Sequence, residues 1–277
     1  MALLLKTVGG VLSALTIAFV LLVLLVHVGA YNPYPAPPAK MVAGPFGQTD
    51  DSIRFSDLYR HQGEPLAAYH ERLTKSVSAY MVHWWPAENR LAVGVHPLDN
   101  YPMFLKSFFP GYEHFAAKEF VSPLLAWRRG YGFCSQVSRI VYSVLRDQGL
   151  DATVMSHPNH VVVEADGHVL DADYGVFIPQ SLEYVKAHPA LVDDAYAPKF
   201  AASLPLLEAV YADGWTETAT KAAFDYTRDF EAEAHRWKWA PMLMVLWMAT
   251  AIFDAGLCWP KFADGLPSFP RRRSLPT

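Results

Sequence analysis

Cysteine is nearly absent from this sequence, with two residues in 277. Cys134 lies in a mixed segment and Cys258 in an apolar run near the C-terminus, so a disulfide between them is not expected. The chain has no CxxC pair and no paired Cys/His spacing, although His157, His160 and His168 stand close together. We therefore expect neither a structural zinc site nor another metal centre.

Charge is also scarce, at 18% of residues against 52% hydrophobic residues. The net charge is −4 and the pI about 6.2, which excludes the strongly basic surface that a nucleic-acid-binding protein needs. The apolar excess is concentrated at the two ends of the chain. A membrane is therefore a more plausible partner than a nucleic acid.

The N-terminal apolar run extends from Val8 to Ala30 and reads VGGVLSALTIAFVLLVLLVHVGA. A helix of that length crosses a hydrocarbon layer of about 30 Å. Its small residues at the end also allow a cleaved signal peptide, but the length favours an uncleaved transmembrane signal anchor over residues 1–30. The proline-rich residues 31–46 cannot continue the helix and are expected to form a linker.

A second apolar segment covers residues 238–260 and is bracketed by tryptophans, as in an interfacial belt. Asp254 favours a buried or interfacial helix instead of a span, because a carboxylate is costly in hydrocarbon. Lys6 and the basic C-terminal tail, residues 261–277, would both be cytoplasmic if the two segments span. One span or two remains open, and two would place the intervening domain outside.

Residues 47–237 alternate helix-like and strand-like stretches without an obvious repeat, which predicts a single α+β domain. Within it, the apolar spacing from Pro65 to Val82 predicts a helix with proline in its first turn. The aromatic and proline-rich stretch that follows is expected to be irregular and to wrap over the core.

Cys134 opens a predicted helix, with Gly130 and Gly132 before it and Gly149 as its terminator. The positive end of a helix dipole favours thiolate over thiol, and the thiolate is the nucleophilic form. A buried structural cysteine is the alternative for such a residue taken alone. Whether Cys134 is a nucleophile or a structural cysteine depends on the other residues that lie near it.

A predicted hairpin turns on Asp166 and Gly167, a favoured type I′ pair, after a strand at residues 151–156. With this turn, His160 faces Asp173 across the hairpin, and Asp171 lies diagonal to it on the same side of the sheet. A carboxylate can fix the tautomer and orientation of an imidazole that exchanges a proton with a thiol. The spacing alone does not choose between Asp171 and Asp173.

The motifs GYGFCSQVSRIVYSVLRDQGLDATV, HVVVE and HVLDADYG, within residues 127–179, resemble the transglutaminase-like (papain-like cysteine) superfamily of bacterial thiol enzymes. The resemblance implies a helix bearing the cysteine packed on an antiparallel sheet, behind an N-terminal transmembrane helix. It places the catalytic roles on Cys134, His160 and Asp171. It also implies that no cofactor is needed.

The leading hypothesis is a thiol enzyme that acts on amide or peptide bonds through a thioester, as a protease, an amidase or a transglutaminase. We expect it in a bacterial inner membrane with the catalytic domain facing the periplasm or the outside, acting on a protein or a cell-wall peptide. The alternative is a non-catalytic peptide-binding or scaffolding domain of an envelope complex, because a fold does not fix a function.

The sequence says less about which groups would donate hydrogen bonds to the oxyanion of the reaction. The backbone N–H of Cys134 is one expected donor. Gln136, Trp84 and Trp85 are candidates for the second, but a position on the helix surface or in the core explains each of them equally well.

Overall fold

The structure is a computed structural model, and it describes residues 2–34, 36–42, 47–84, 96–106, 108–110, 122–217, 233–234, 236–248 and 250–251. The chain divides into two compact units. One unit combines residues 1–31 with residues 236–277, and the other is formed by residues 32–235.

The first unit is dominated by helix α1, Ala2–His27. Its segment Thr7–His27 has a mean hydropathy of 2.7, and it is the one helix among the described residues that is long and apolar enough to cross a membrane. A signal sequence would have the same properties, so the prediction of an apolar N-terminal helix is confirmed while its role as an anchor stays a prediction.

The second apolar segment forms a short helix, Trp239–Met248, in the described part of the chain. Asp254 and the arginine-rich tail fall outside the described residues, so the number of spans stays open. Within this unit the ring of His27 meets that of Trp239 edge to face, with 5.6 Å between the centroids.

The second unit contains helices and strands in an α+β arrangement. Its helices are α2 (Ala39–Val42), α3 (Leu66–Tyr80), α4 (Pro97–Lys106), α5 (Pro123–Arg129), α6 (Cys134–Asp147), α7 (Leu182–Ala187), α8 (Ala190–Phe200) and α9 (Leu204–Ala212), with 3-10 turns at Phe55–Leu58 and Ala201–Ser203. Its strands are β1 (Val82–His83), β2 (Tyr131–Gly132), β3 (Thr153–His157), β4 (His160–Ala165), β5 (His168–Asp171), β6 (Val176–Ile178) and β7 (Thr216–Glu217).

Five strands form an antiparallel sheet in the order β6-β5-β4-β3-β7, while β1 and β2 make a separate parallel pair. The sheet separates two apolar layers, because side chains alternate between its faces along each strand. Val163 and Leu170 join the cluster under α3 and α6, whereas Val162 and Val169 join the cluster under α7, α8 and α9. The sheet is therefore buried on both sides.

The Cys134 helix begins and ends where the sequence predicts. Cys134 is its first residue, and Gly149 follows its end with a φ of 74°. The Gly149 N–H donates to the Arg146 carbonyl, and the Leu150 N–H donates to the Leu145 carbonyl. This Schellman pattern needs a left-handed residue, which glycine adopts without steric cost.

The predicted hairpin is confirmed at its turn. Asp166 and Gly167 both have positive φ, at 52° and 72°, as a type I′ turn requires. Ala165 pairs with His168, in the predicted register, and the paired ladder ends at Val163 and Leu170. The facing of His160 and Asp173 predicted further along is therefore not part of the ladder.

A second, unpredicted hairpin joins β3 to β4. His157 pairs with His160, so Pro158 and Asn159 form a two-residue connection between the strands. Asn159 adopts a turn that also lets its N–H donate to His157 Nδ1 at 3.2 Å. This hairpin fixes His160 as the first residue of a central strand.

Candidate active site

Cys134 stands at the N-terminus of α6, with its side chain half-buried. The residue before it, Phe133, has no side-chain acceptor for the first N–H groups of the helix. These groups and the aligned peptide dipoles place partial positive charge beside the sulfur. A sulfur in this position is suited to carry negative charge.

The backbone just before Cys134 packs closely against the first turn of α6. A Cβ on Gly132 would lie 2.6 Å from Cβ of Gln136, so only glycine lets the Tyr131–Gly132 strand pack against the first turn of α6. The Gly132 carbonyl also accepts the N–H of Trp84 at 3.1 Å, beside the β1–β2 pair. The turn before Cys134 is thus fixed by both sequence and packing.

His160 and Asp171 form the central polar pair of the site. His160 Nε2 lies 2.7 Å from Asp171 Oδ2, and 5% of the His160 side chain and none of the Asp171 side chain are exposed. The Cys134 sulfur lies within 4.8 Å of a donor nitrogen of the same imidazole. Because Nε2 is engaged by the carboxylate, Nδ1 is the ring nitrogen left for the thiol. The three predicted residues therefore come together in the order Cys134, His160, Asp171.

The charge of this pair is governed by two opposing effects. Burial disfavours a charged imidazole, but the charge and hydrogen bond of Asp171, followed by the hydrogen bond of Cys134, raise the pKa of His160 well above its ordinary value. A protonated imidazole beside the sulfur stabilises thiolate.

Two tyrosines donate hydrogen bonds to the same Asp171 oxygen that His160 contacts. The Tyr196 hydroxyl donates to Asp171 Oδ2 at 2.5 Å, and that of Tyr211 reaches the same oxygen at 3.5 Å. The Tyr174 backbone N–H donates to Oδ1 at 3.3 Å. Burial, followed by the Asp171 charge, raises the pKa of both tyrosines, so they remain neutral donors. The buried carboxylate is therefore held in a fixed orientation by hydrogen bonds.

Aromatic rings cover the imidazole. The Tyr174 ring lies edge-on at 5.4 Å and the Trp215 ring at 6.3 Å from the centroid of His160. Such contacts exclude water from the His160–Asp171 hydrogen bond, which strengthens it. The indole N–H of Trp215 is buried and has no hydrogen-bond partner among the described residues.

Asp173 has a different histidine as its partner. Its Oδ1 lies 2.7 Å from Nδ1 of His83, which comes from β1 and packs its ring on Phe133 at 5.4 Å. Although burial opposes the charged form, the hydrogen bond and charge of Asp173 raise the pKa of His83 above its ordinary value. The structure therefore resolves the choice left open by the sequence, because Asp171 pairs with His160 and Asp173 pairs with His83.

The Asp173 carboxylate nevertheless belongs to the site. One donor atom each from Cys134, His160 and Asp173 lie within 4.8 Å of one another. His157 and His168, which stand close to His160 in the sequence, are not part of this cluster. His168 instead contacts the buried His70, with 3.0 Å between their Nδ1 atoms, and burial followed by the charge of His168 lowers the pKa of His70 to about 4.

The candidates for the second oxyanion donor have other positions. Gln136 is buried and accepts a hydrogen bond from Arg129 at 2.9 Å, and the Trp84 ring packs on Tyr131 at 4.9 Å. Trp85 lies outside the described residues. Glu164 accepts the N–H of Leu182 at the start of α7.

Sequence reasoning missed the residues that support the triad, namely His83, Tyr174, Tyr196, Tyr211 and Trp215. Four of these five follow Asp171 in the chain, and of those only Tyr174 stands in a motif with it, HVLDADYG. The apolar face of α8 and α9 predicts burial only, and a buried tyrosine needs a partner for its hydroxyl. The need of each buried tyrosine hydroxyl for a hydrogen-bond partner was the signal in the sequence, although it does not identify Asp171 as that partner.

Replacing Tyr196 by phenylalanine removes one hydroxyl donor from Asp171 and leaves the ring. We expect the free energy of unfolding to fall by about 1.5–3 kcal/mol, because the lost bond reaches a buried charge. We also expect kcat to fall about tenfold with KM unchanged, since this tyrosine positions Asp171 and does not touch substrate. Denaturant titration and kinetics measure the two effects, with the exposed Tyr184→Phe as the control. A less stable variant with unchanged kcat would make Tyr196 purely structural.

Comparison with known proteins gives no family for this chain, because no family model, no curated protein and no solved structure matches it.

Proposed function

We propose that this chain is a membrane-anchored thiol enzyme that cleaves or transfers amide bonds through a thioester on Cys134. The observation that carries the proposal is the series Cys134, His160 and Asp171, in which the donor atoms of Cys134 and His160 lie within 4.8 Å and the imidazole is hydrogen-bonded to a buried carboxylate. A purely structural cysteine needs no imidazole oriented beside it and no acidic residue to orient that imidazole. The placement of α6 against an antiparallel sheet supports the resemblance to the transglutaminase-like superfamily.

In the proposed first half of the reaction, the amide bond is broken and a proton moves from His160 to the leaving amine. The Cys134 thiolate attacks the amide carbonyl carbon, and the carbonyl oxygen takes up the negative charge. The Cys134 backbone N–H and the helix terminus face that charge. His160 then gives its proton to the leaving amine as the carbon–nitrogen bond breaks, which leaves a thioester and a neutral imidazole.

The thioester is resolved by reversal of these steps. Neutral His160 takes a proton from an incoming water or amine while the nucleophile attacks the thioester carbon. The Cys134 thiolate leaves, and His160 is again protonated. Water gives hydrolysis and an amine gives transamidation, so the acceptor determines whether the enzyme is an amidase or a transglutaminase.

Location and substrate are part of the same proposal. Helix α1 serves as the anchor, and the basic residue Lys6 places its N-terminus in the cytoplasm. The domain of residues 32–235 then faces the periplasm or the outside of a bacterial inner membrane. Proteins and cell-wall peptides are the amides available there.

The test uses the full chain in detergent micelles with a pool of peptides and a dansylated primary amine. We expect hydrolysed peptides, dansylated peptides or both, detected by mass spectrometry, from the wild type and from Cys258→Ala. Cys134→Ala should give neither product. Products formed equally by Cys134→Ala would refute the proposal, and peptide binding without products would support the non-catalytic alternative.

A further inference from the structure

We propose that Cys134, His160 and Asp173 bind one zinc ion, which reversibly inhibits thiol chemistry at this site. Each residue offers one ligand atom, and the three atoms lie within 4.8 Å of one another. Thiolate, imidazole and carboxylate are the donors that zinc takes in proteins. The zinc site rests on this geometry, and only its inhibitory effect rests on the proposed function.

The distances need little adjustment to admit an ion. Zinc bonds to sulfur, nitrogen and oxygen of about 2.0–2.3 Å place tetrahedral ligands about 3–4 Å apart. The described cluster, with its donor atoms within 4.8 Å of one another, exceeds this by about 1–2 Å at most. Rotation about χ1 of Cys134, a single bond at the end of a half-buried side chain, can bring the sulfur inward.

Two of the ligands are already held in place by partners behind them. His160 Nε2 is fixed by Asp171, which leaves Nδ1 for a metal. Asp173 Oδ1 is fixed by His83, which leaves Oδ2. Histidine and carboxylate ligands of zinc characteristically have such hydrogen-bonded partners, which orient them and strengthen binding.

The donor set also selects the metal. Magnesium and calcium prefer oxygen ligands, whereas a thiolate with an imidazole favours zinc among the redox-inert divalent ions. Three protein ligands leave a fourth position for water. His160 and Asp173 are 5% and 6% exposed, so the ion enters from the side of the half-buried Cys134.

Zinc binding and thiol catalysis exclude each other because they use the same atoms. The ion takes up the sulfur electron pair that would attack the amide and the His160 nitrogen that would carry the proton. Binding also releases the proton shared between Cys134 and His160, because both ligand atoms must be deprotonated. Zinc is therefore expected to switch the thiol enzyme off and a chelator to restore it.

The test measures zinc affinity without any substrate. The full chain in detergent is freed of metal and titrated with zinc against a chromophoric chelator. We expect one ion per chain, an affinity at least tenfold lower in Asp173→Asn, and an affinity at least a hundredfold lower in Cys134→Ala. The exposed Asp194→Asn is the matched control and should bind as the wild type does. Circular dichroism checks that each variant is folded.

A second readout is alkylation of Cys134 by iodoacetamide, followed by mass spectrometry. Zinc should slow the reaction at Cys134 at least tenfold, and a chelator should restore it. Wild-type affinity in both Cys134→Ala and Asp173→Asn would overturn the proposal, as would zinc that leaves alkylation unchanged. Neither readout uses a substrate, so absent turnover would count against the proposed enzyme and leave the zinc site supported.

Discussion

Replacing His160 by glutamine is expected to lower kcat/KM for amide turnover by about a hundredfold to ten-thousandfold. Glutamine can donate or accept a hydrogen bond, but it cannot carry the proton between Cys134 and the leaving amine. It also removes the positive charge that His160 places beside the sulfur. Cys134 should therefore be a more weakly ionised thiol and a poorer nucleophile.

The matched control for this variant is His188→Gln, which changes an exposed histidine that stacks on Tyr184 at 3.9 Å. It should retain wild-type kinetics. Equal losses in the two variants would point to a general effect of the substitution. Unchanged turnover in His160→Gln would remove His160 from the mechanism.

Replacing Asp171 by asparagine is expected to have the second-largest effect, a loss of about a hundredfold or more in kcat. The amide has the shape of the carboxylate but lacks its charge, so it no longer stabilises protonated His160. The Tyr196 hydroxyl now faces an amide, whose nitrogen cannot accept its hydrogen bond. The imidazole therefore loses both its orientation and its favoured protonation state.

The pH dependence distinguishes this effect from simple unfolding. Since Asp171 raises the pKa of His160, its loss should shift the His160 titration to lower pH. NMR of the His160 ring measures the shift, with Asp151→Asn as the control, because the Asp151 side chain is 99% exposed. An unshifted His160 titration in folded Asp171→Asn would refute the pairing.

Local sequence signals predicted the parts of the site that are set by local structure. A glycine terminator and apolar spacing placed Cys134 at a helix start, and Asp166–Gly167 set the hairpin register. That register placed both Asp171 and Asp173 on the side of His160 without choosing between them, and in the structure His160 is hydrogen-bonded to Asp171. The resemblance to a family favoured the same aspartate, while its broader implication of a papain-like core stays a proposal.

Contacts between residues far apart in the chain were not predictable. His83 reaches Asp173 across 90 positions, through a parallel pair of two-residue strands that carry almost no pattern. Tyr196 and Tyr211 reach Asp171 because α8 and α9 return over the sheet. The zinc ligands likewise meet only in the folded chain, which is why Cys/His spacing gave no metal prediction.

The central claim is that His160 and Asp171 activate Cys134, and the most direct test is the rate of its alkylation by iodoacetamide between pH 5 and 9. An unperturbed cysteine has a pKa of about 8.5 and reacts slowly below it. Because His160 is protonated up to a raised pKa, the thiolate should persist to lower pH. We therefore predict that metal-free Cys134 reacts at pH 6 at least tenfold faster than in His160→Gln and much faster than Cys258. Equal rates for Cys134 in the two proteins, with the profile of an ordinary thiol, would contradict the claim.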